Sequence, residues 1–143
     1  MLGQLHQGHL YGGPVWPLTL IARLQAAQGN LAEAETTIQQ AKTEAGEPPF
    51  GLSPVWLSLA EAQLARAKGL PEEASAAYQQ CVQAAGRAGM RWHQAWVKRD
   101  WAEALIAEAK RQASEKARTL LQEAAIEFEG TGAALYVERV RAR

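Results

Sequence analysis

Small and apolar residues recur along this chain at a single helical spacing. Ala34, Ile38, Ala41 and Ala45 stand at i, i+4, i+7 and i+11. Ala74, Tyr78, Cys81 and Ala85 repeat the set forty residues later, and Ala117, Leu121, Ala124 and Phe128 repeat it again at a further shift of 43. This spacing traces one stripe of an α-helix, whereas a strand would alternate every second residue. Small residues at the first and third positions let a neighbouring helix come close, and the larger second residue fills the space between. A second pattern shares the period. Pro14-Val15-Trp16 returns as Pro54-Val55-Trp56, and Ala22, Leu24 and Gly29 return as Ala62, Leu64 and Gly69. Such self-similarity predicts stacked helix pairs, because one pair cannot bury its apolar face alone.

Turn residues divide the pattern into elements. Gly13-Pro14 and Ser53-Pro54 each read as a cap followed by proline at the first helical position. Gly29-Asn30 and Gly69-Leu70-Pro71 read as tight turns, with Asn30 as a cap and Glu33 suited to the first helical turn. Gly46, followed by Pro48-Pro49, ends a helix, and Gly86, Gly89, Gly130 and Gly132 mark later breaks. The predicted pairs are 14–28 with 31–45, 53–68 with 71–86, and 92–109 with 114–129. A terminal helix follows over 133–143, and residues 1–10 read as a stray helical turn. The third pair leaves two registers open. Trp96 continues the forty-residue spacing of Trp16 and Trp56, while Trp101-Ala102-Glu103-Ala104 matches Leu59-Ala60-Glu61-Ala62 at an offset of 42. Either register places one to three extra residues near Lys110–Ala113.

At these residues the chain resembles the tetratricopeptide repeat. The match rests on the small residue of the first helix (Ala22, Ala62), the turn glycine (Gly29, Gly69) and the small/large/small set of the second helix, over about residues 14–130. The period of forty exceeds the usual 34. In that respect the chain looks more like the longer repeats of bacterial LuxR-type regulators and of multidomain ATPase and cyclase signalling proteins. Ala88-Gly89-Met90-Arg91, and the stretch from Leu120 to Glu129-Gly130-Thr131-Gly132-Ala133, carry that narrower likeness. The resemblance implies an all-α, right-handed α-α superhelix of about three helix pairs with a C-terminal capping helix, in one domain. It also implies a concave groove lined by the first helices. Carried over by the turn glycines, the groove positions are Trp16, Thr19, Arg23, Trp56, Leu59, Gln63 and Arg66, joined from the third pair by Trp96, Arg99 and Glu103.

Composition narrows the class. The 143 residues suit one domain; 48% are hydrophobic and 21% charged, so disorder is not expected. Formal net charge is zero. The half up to Glu72 carries 4 Lys/Arg and 6 Glu, and the remainder 11 Lys/Arg and 9 acids, a mild asymmetry of −2 against +2. Nucleic acid is not an expected partner, since it usually requires a strongly basic face. Cys81 is the single cysteine, which excludes an internal disulfide and fits a reducing cytoplasm. Near the start, Gly12, Gly13, Pro14 and Pro17 interrupt the apolar run with no basic region before it, so neither a signal peptide nor a membrane span is expected there.

The sequence offers little for catalysis. His6 and His9 share a helical spacing but have no third ligand nearby, so no metal and no cofactor are expected. Cys81 takes the place of Ala41 in the repeat and reads as a buried small hydrophobe. Glu61 and Glu103 read as solvated or salt-bridged residues. No phosphate-binding glycine loop and no Gly-x-Ser-x-Gly elbow occurs. No enzymatic activity is expected, and the repeat resemblance implies a protein-interaction scaffold, part of a larger bacterial signalling or transcriptional regulator, with a protein or peptide partner. A small-molecule sensor using the same groove and a self-associating structural segment are the alternatives. The uncharged start points to homodimerisation through residues 1–30. Trp16 and Trp56 read as wedges between helix pairs, with Trp92, Trp96 and Trp101 open to a role as anchors. Arg87, Arg91, Lys98 and Arg99 form a local basic cluster, either a solvated face or a site for an acidic peptide.

Overall fold

The computed structural model describes residues 13–130, and all regular structure among them is helical. Five helices follow in order: α1 Val15–Ala27, α2 Leu31–Ala45, α3 Ser53–Ala67, α4 Pro71–Arg87 and α5 Arg91–Gly130. The chain divides into two compact units, Met1–Ala104 and Leu105–Arg143. The turn expected over residues 1–10 and the helix expected over 133–143 lie outside the described residues.

One turn is used three times. Gly29, Gly69 and Gly89 adopt φ of 82°, 74° and 72°. In each case the glycine N–H donates three residues back, to Ala26, Arg66 and Gly86. The N–H of the next residue reaches five back, to Gln25, Ala65 and Ala85. This is the Schellman closure, and its left-handed residue strains any side chain with a Cβ. The caps differ from expectation. Ser53 begins α3 instead of preceding it, and its buried Oγ has no hydrogen-bond partner. Asn30 does precede α2, but its side chain donates to Gln28 Oε1 at 3.4 Å instead of capping. Its own N–H is already committed to the turn closure on Gln25.

The predicted stripes of α2 and α4 form the core. Ala34, Ile38, Ala41 and Ala45 are buried, as are Ala74, Tyr78, Cys81 and Ala85. Helix α1 packs on α2, α3 on α4, and α3 also lies against α1 and α2. Ala22 and Ala26 of α1, Ala34 and Ile38 of α2, and Ala60 and Leu64 of α3 fill the space between the two pairs. The largest cluster joins α3 and α4 to the start of α5 through Val55, Leu59, Ala62, Tyr78, Cys81 and Val97, with Trp56, Trp96 and Trp101 against it. Val15, Val55 and Val97 are 1%, 2% and 1% exposed, so packing selects the offset of 42 for α5. Gly86 allows the close approach of α5 to α4. A Cβ there would meet Gln94 Nε2 at 2.8 Å, and that same nitrogen donates to the Val82 carbonyl.

The expected third helix pair is corrected. Residues 110–113 are helical, and α5 runs through them without a break. Between Arg91 and Glu129 there is no glycine or proline to stop a helix, and alanine, glutamate, lysine, arginine and glutamine dominate. Local side-chain bonds also bridge the expected break. Arg111 Nη2 donates to Glu108 Oε2 at 2.6 Å, and Gln112 Nε2 donates to Glu108 Oε1 at 3.0 Å. The arginine holds the Glu108 carboxyl below its ordinary pKa. Among the described residues of the Leu105–Arg143 unit, Ala117 and Leu121 of the third stripe are exposed, and the buried one is Ala125.

Candidate functional site

The chain's only aspartate organises the polar side chains between α1, α3, α4 and α5. Asp100 Oδ2 accepts a hydrogen bond from the Tyr78 hydroxyl at 2.6 Å and from Gln63 Nε2 at 3.2 Å. Its other oxygen accepts from Arg66 Nη1 at 3.4 Å. Gln63 then extends the chain, because its Oε1 accepts from Arg23 Nε at 2.9 Å. The Arg23 guanidinium lies 5.4 Å from the centroid of the Trp96 ring, within cation–π range. Behind Tyr78, the Trp101 ring stacks at 6.2 Å, and its Nε1 donates to Ser75 Oγ at 3.1 Å. The five hydrogen-bonded residues Arg23, Gln63, Arg66, Tyr78 and Asp100 thus come from four helices and are held by fixed partners.

Electrostatics follow from burial. Desolvation pulls the Arg23 pKa down, and the Asp100 carboxylate opposes that shift. Desolvation, then the bond to Asp100, pushes the Tyr78 phenol far above its ordinary range, so it stays a donor. Burial raises the Cys81 thiol, whose Sγ donates to the Val55 carbonyl at 3.4 Å. A protonated, fully buried thiol is not a nucleophile.

Beside the network, Arg23, Ala26 and Ala27 of α1 and Gln63, Arg66 and Ala67 of α3 line a groove of about 430 Å³. Its lining combines three alanines with two arginines and a glutamine. Two further clefts, of about 210 and about 530 Å³, share Lys42 and Glu61, which pair at 3.3 Å. Their cations and acids largely face one another; Lys68 pairs with Glu35 at 3.1 Å. The α1–α3 groove instead sets two cations against one carboxylate.

The expected groove residues divide into groups. Arg23, Gln63, Arg66 and Trp96 come together as described. Trp16 is 48% exposed on α1. Trp56 is half-buried, with its ring edge-on to His93 at 5.3 Å. Thr19 and Leu59 are buried, so they belong to the core and not to a groove surface. The Thr19 hydroxyl is satisfied by the Trp16 carbonyl at 2.8 Å. They sit one helical turn from Val15 and Val55, on the stripe that faces the partner helix. Arg99 and Glu103 are exposed and pair with each other at 3.3 Å, apart from the Asp100 network. Asp100 and Tyr78 were not expected at the site. Their signal was faint: a solitary aspartate, and a hydroxyl where the preceding repeat has Ile38.

Among the described residues no helix is long and apolar enough to cross a membrane. No group of three histidine, cysteine, aspartate or glutamate residues among them could hold a metal. His6 and His9 lie outside the described residues. Comparison with protein-family models, curated proteins and solved structures finds no match to this chain.

Proposed function

We propose that this chain is a non-catalytic protein-interaction scaffold of tetratricopeptide-like helix pairs, and that the α1–α3 groove receives a partner segment bearing an acidic group. The observation that carries the reading is that Arg23 and Arg66 line one groove together with three alanines, each arginine set in place by a partner, Gln63 or Asp100. Arginine presents a planar fork of donors suited to carboxylates, and fixed partners lower the ordering cost of binding. The lining includes no aromatic side chain, which favours a protein segment over a small apolar inducer. Its place in a larger bacterial signalling or transcriptional regulator rests on the likeness of the repeats alone. A cytoplasmic setting agrees with a single unpaired cysteine.

Immobilised wild-type chain should retain a partner from host lysate that the Arg23→Glu/Arg66→Glu variant loses, with crosslinks mapping to α1 and α3. Arg23→Gln, which retains a donor for Gln63, guards against loss through unfolding. If both charge states retain the same set, the groove reading fails.

Self-association is the second reading, favoured by α1. Trp16, Leu20, Ile21 and Leu24 are 48%, 37%, 46% and 57% exposed. The α3 positions equivalent to Leu20 and Leu24 are Ala60 and Leu64, and both are buried against the preceding pair. A second copy packing α1 on α1 would cover the same stripe. Sedimentation velocity should then show a dimer forming as concentration rises, and Leu20→Glu/Leu24→Glu should abolish it. A strictly monomeric species at high micromolar concentration counts against this reading.

A further inference from the structure

The first three turns of α5 present a second face unlike the groove. Arg91, Trp92, Ala95, Lys98, Arg99 and Ala102 are all exposed. At 3.6 residues per turn they share one side of the helix. Trp92 is 71% exposed, more than any other large hydrophobic residue described. Its ring is nevertheless braced, edge-on to His93 at 5.1 Å, and His93 is in turn braced by Trp56. An exposed indole that rests edge-on against a neighbouring ring is the kind of side chain that carries interface energy.

The charge around it is unbalanced. Arg99 is engaged by Glu103, whereas Arg91 and Lys98, and Arg87 just across the turn, form no ion pair with any described residue. Helices α2 and α4 have Glu33, Glu72 and Glu73 in their first turns, where the helix dipole favours acids. Helices α1, α3 and α5 have none there, and of these only α5 begins with a cation, Arg91. The local sequence accepts a small electrostatic cost that an acidic partner would reverse. Ala95 and Ala102, seven residues apart between the cations, leave a shallow seam where another helix could lie close.

We infer that this α5 face docks an acidic amphipathic helix of another protein, with Trp92 as the apolar anchor and Arg87, Arg91 and Lys98 as its charge partners. An anionic membrane fits less well, because Trp92 is the single large apolar side chain on the face and offers little to insert. The site is separate from the α1–α3 groove and does not depend on it.

The probe is a fluorescein-labelled, glutamate-rich helical peptide with an alanine/leucine seam, titrated into the full chain and read by anisotropy. Saturable binding is expected at about 50 mM salt, weakening at about 300 mM as exposed charges are screened. Arg91→Glu/Lys98→Glu and Trp92→Ala should each weaken it about tenfold or more, while Lys110→Glu/Lys116→Glu, which reverses two exposed cations farther along the helix, leaves it unchanged. All the replaced residues are exposed, and an unchanged circular-dichroism melt establishes that the variants fold. Absence of binding overturns the inference, as does binding indifferent to Arg91, Lys98 and Trp92. Equal affinity for a proline-interrupted peptide of the same charge would overturn the helical partner. Sedimentation with phosphatidylserine vesicles, without peptide binding, would assign the face to membranes instead.

Discussion

Replacing Tyr78 by alanine lowers the unfolding free energy by about 3–5 kcal/mol, as expected for deleting a fully buried aromatic ring. Two effects combine. Removing the ring opens a cavity among Val55, Leu59, Cys81 and Val97, and Trp101 loses its stacking partner. Removing the hydroxyl also takes from Asp100 its shortest hydrogen bond. Tyr78→Phe separates them: it keeps the ring and should cost about 1.5–3 kcal/mol, the range for a hydrogen bond to a charged group. Urea denaturation of Tyr78→Phe, Asp100→Asn and the double variant measures the coupling between the two residues. If Tyr78→Phe is as stable as wild type, the hydroxyl does not hold the network and the description of the site is wrong.

The second large effect comes from adding volume. Ala62 lies at the centre of α3 with no exposed surface, in contact with the α4 stripe. Ala62→Leu forces three more carbons into a space that the repeat keeps small, and should cost about 1–3 kcal/mol through displaced helices. The same substitution at exposed Ala67, which follows the same helix to its last residue, should change stability by less than about 0.5 kcal/mol. Thermal melts of the two variants make the comparison. Similar melting points would show that close approach of α3 to α4 is not what the alanines provide.

Much of the helical layout was legible because its signals are local. Proline and glycine mark the ends of α1 to α4, and the four-residue stripes point inward in both α2 and α4. Where the sequence misled, a repeat likeness outweighed local chemistry. Ala117, Leu121, Ala124 and Phe128 suggested a separate helix, although nothing between Arg91 and Glu129 could interrupt one. The site was harder to read because its bonds join residues far apart. Asp100 meets Tyr78 at a separation of 22, Arg66 at 34 and Gln63 at 37. No i, i+4 pattern encodes such contacts. They depend on the α5 register, which the tryptophans left ambiguous and Val97 decides. Thr19 and Leu59 were assigned to the groove by position in the repeat, but a shift of about 100° around the helix separates a lining residue from a core one.

The buried thiol at Cys81 gives the chain a built-in clock. It is the single cysteine, it has no exposed surface, and it lies where α3, α4 and α5 converge. A thiol reagent in solution can reach it only during moments when that junction parts. Its rate of labelling therefore reports how often the centre of the molecule breathes, from a residue the chain already carries. Any ligand that clamps those helices together would slow it.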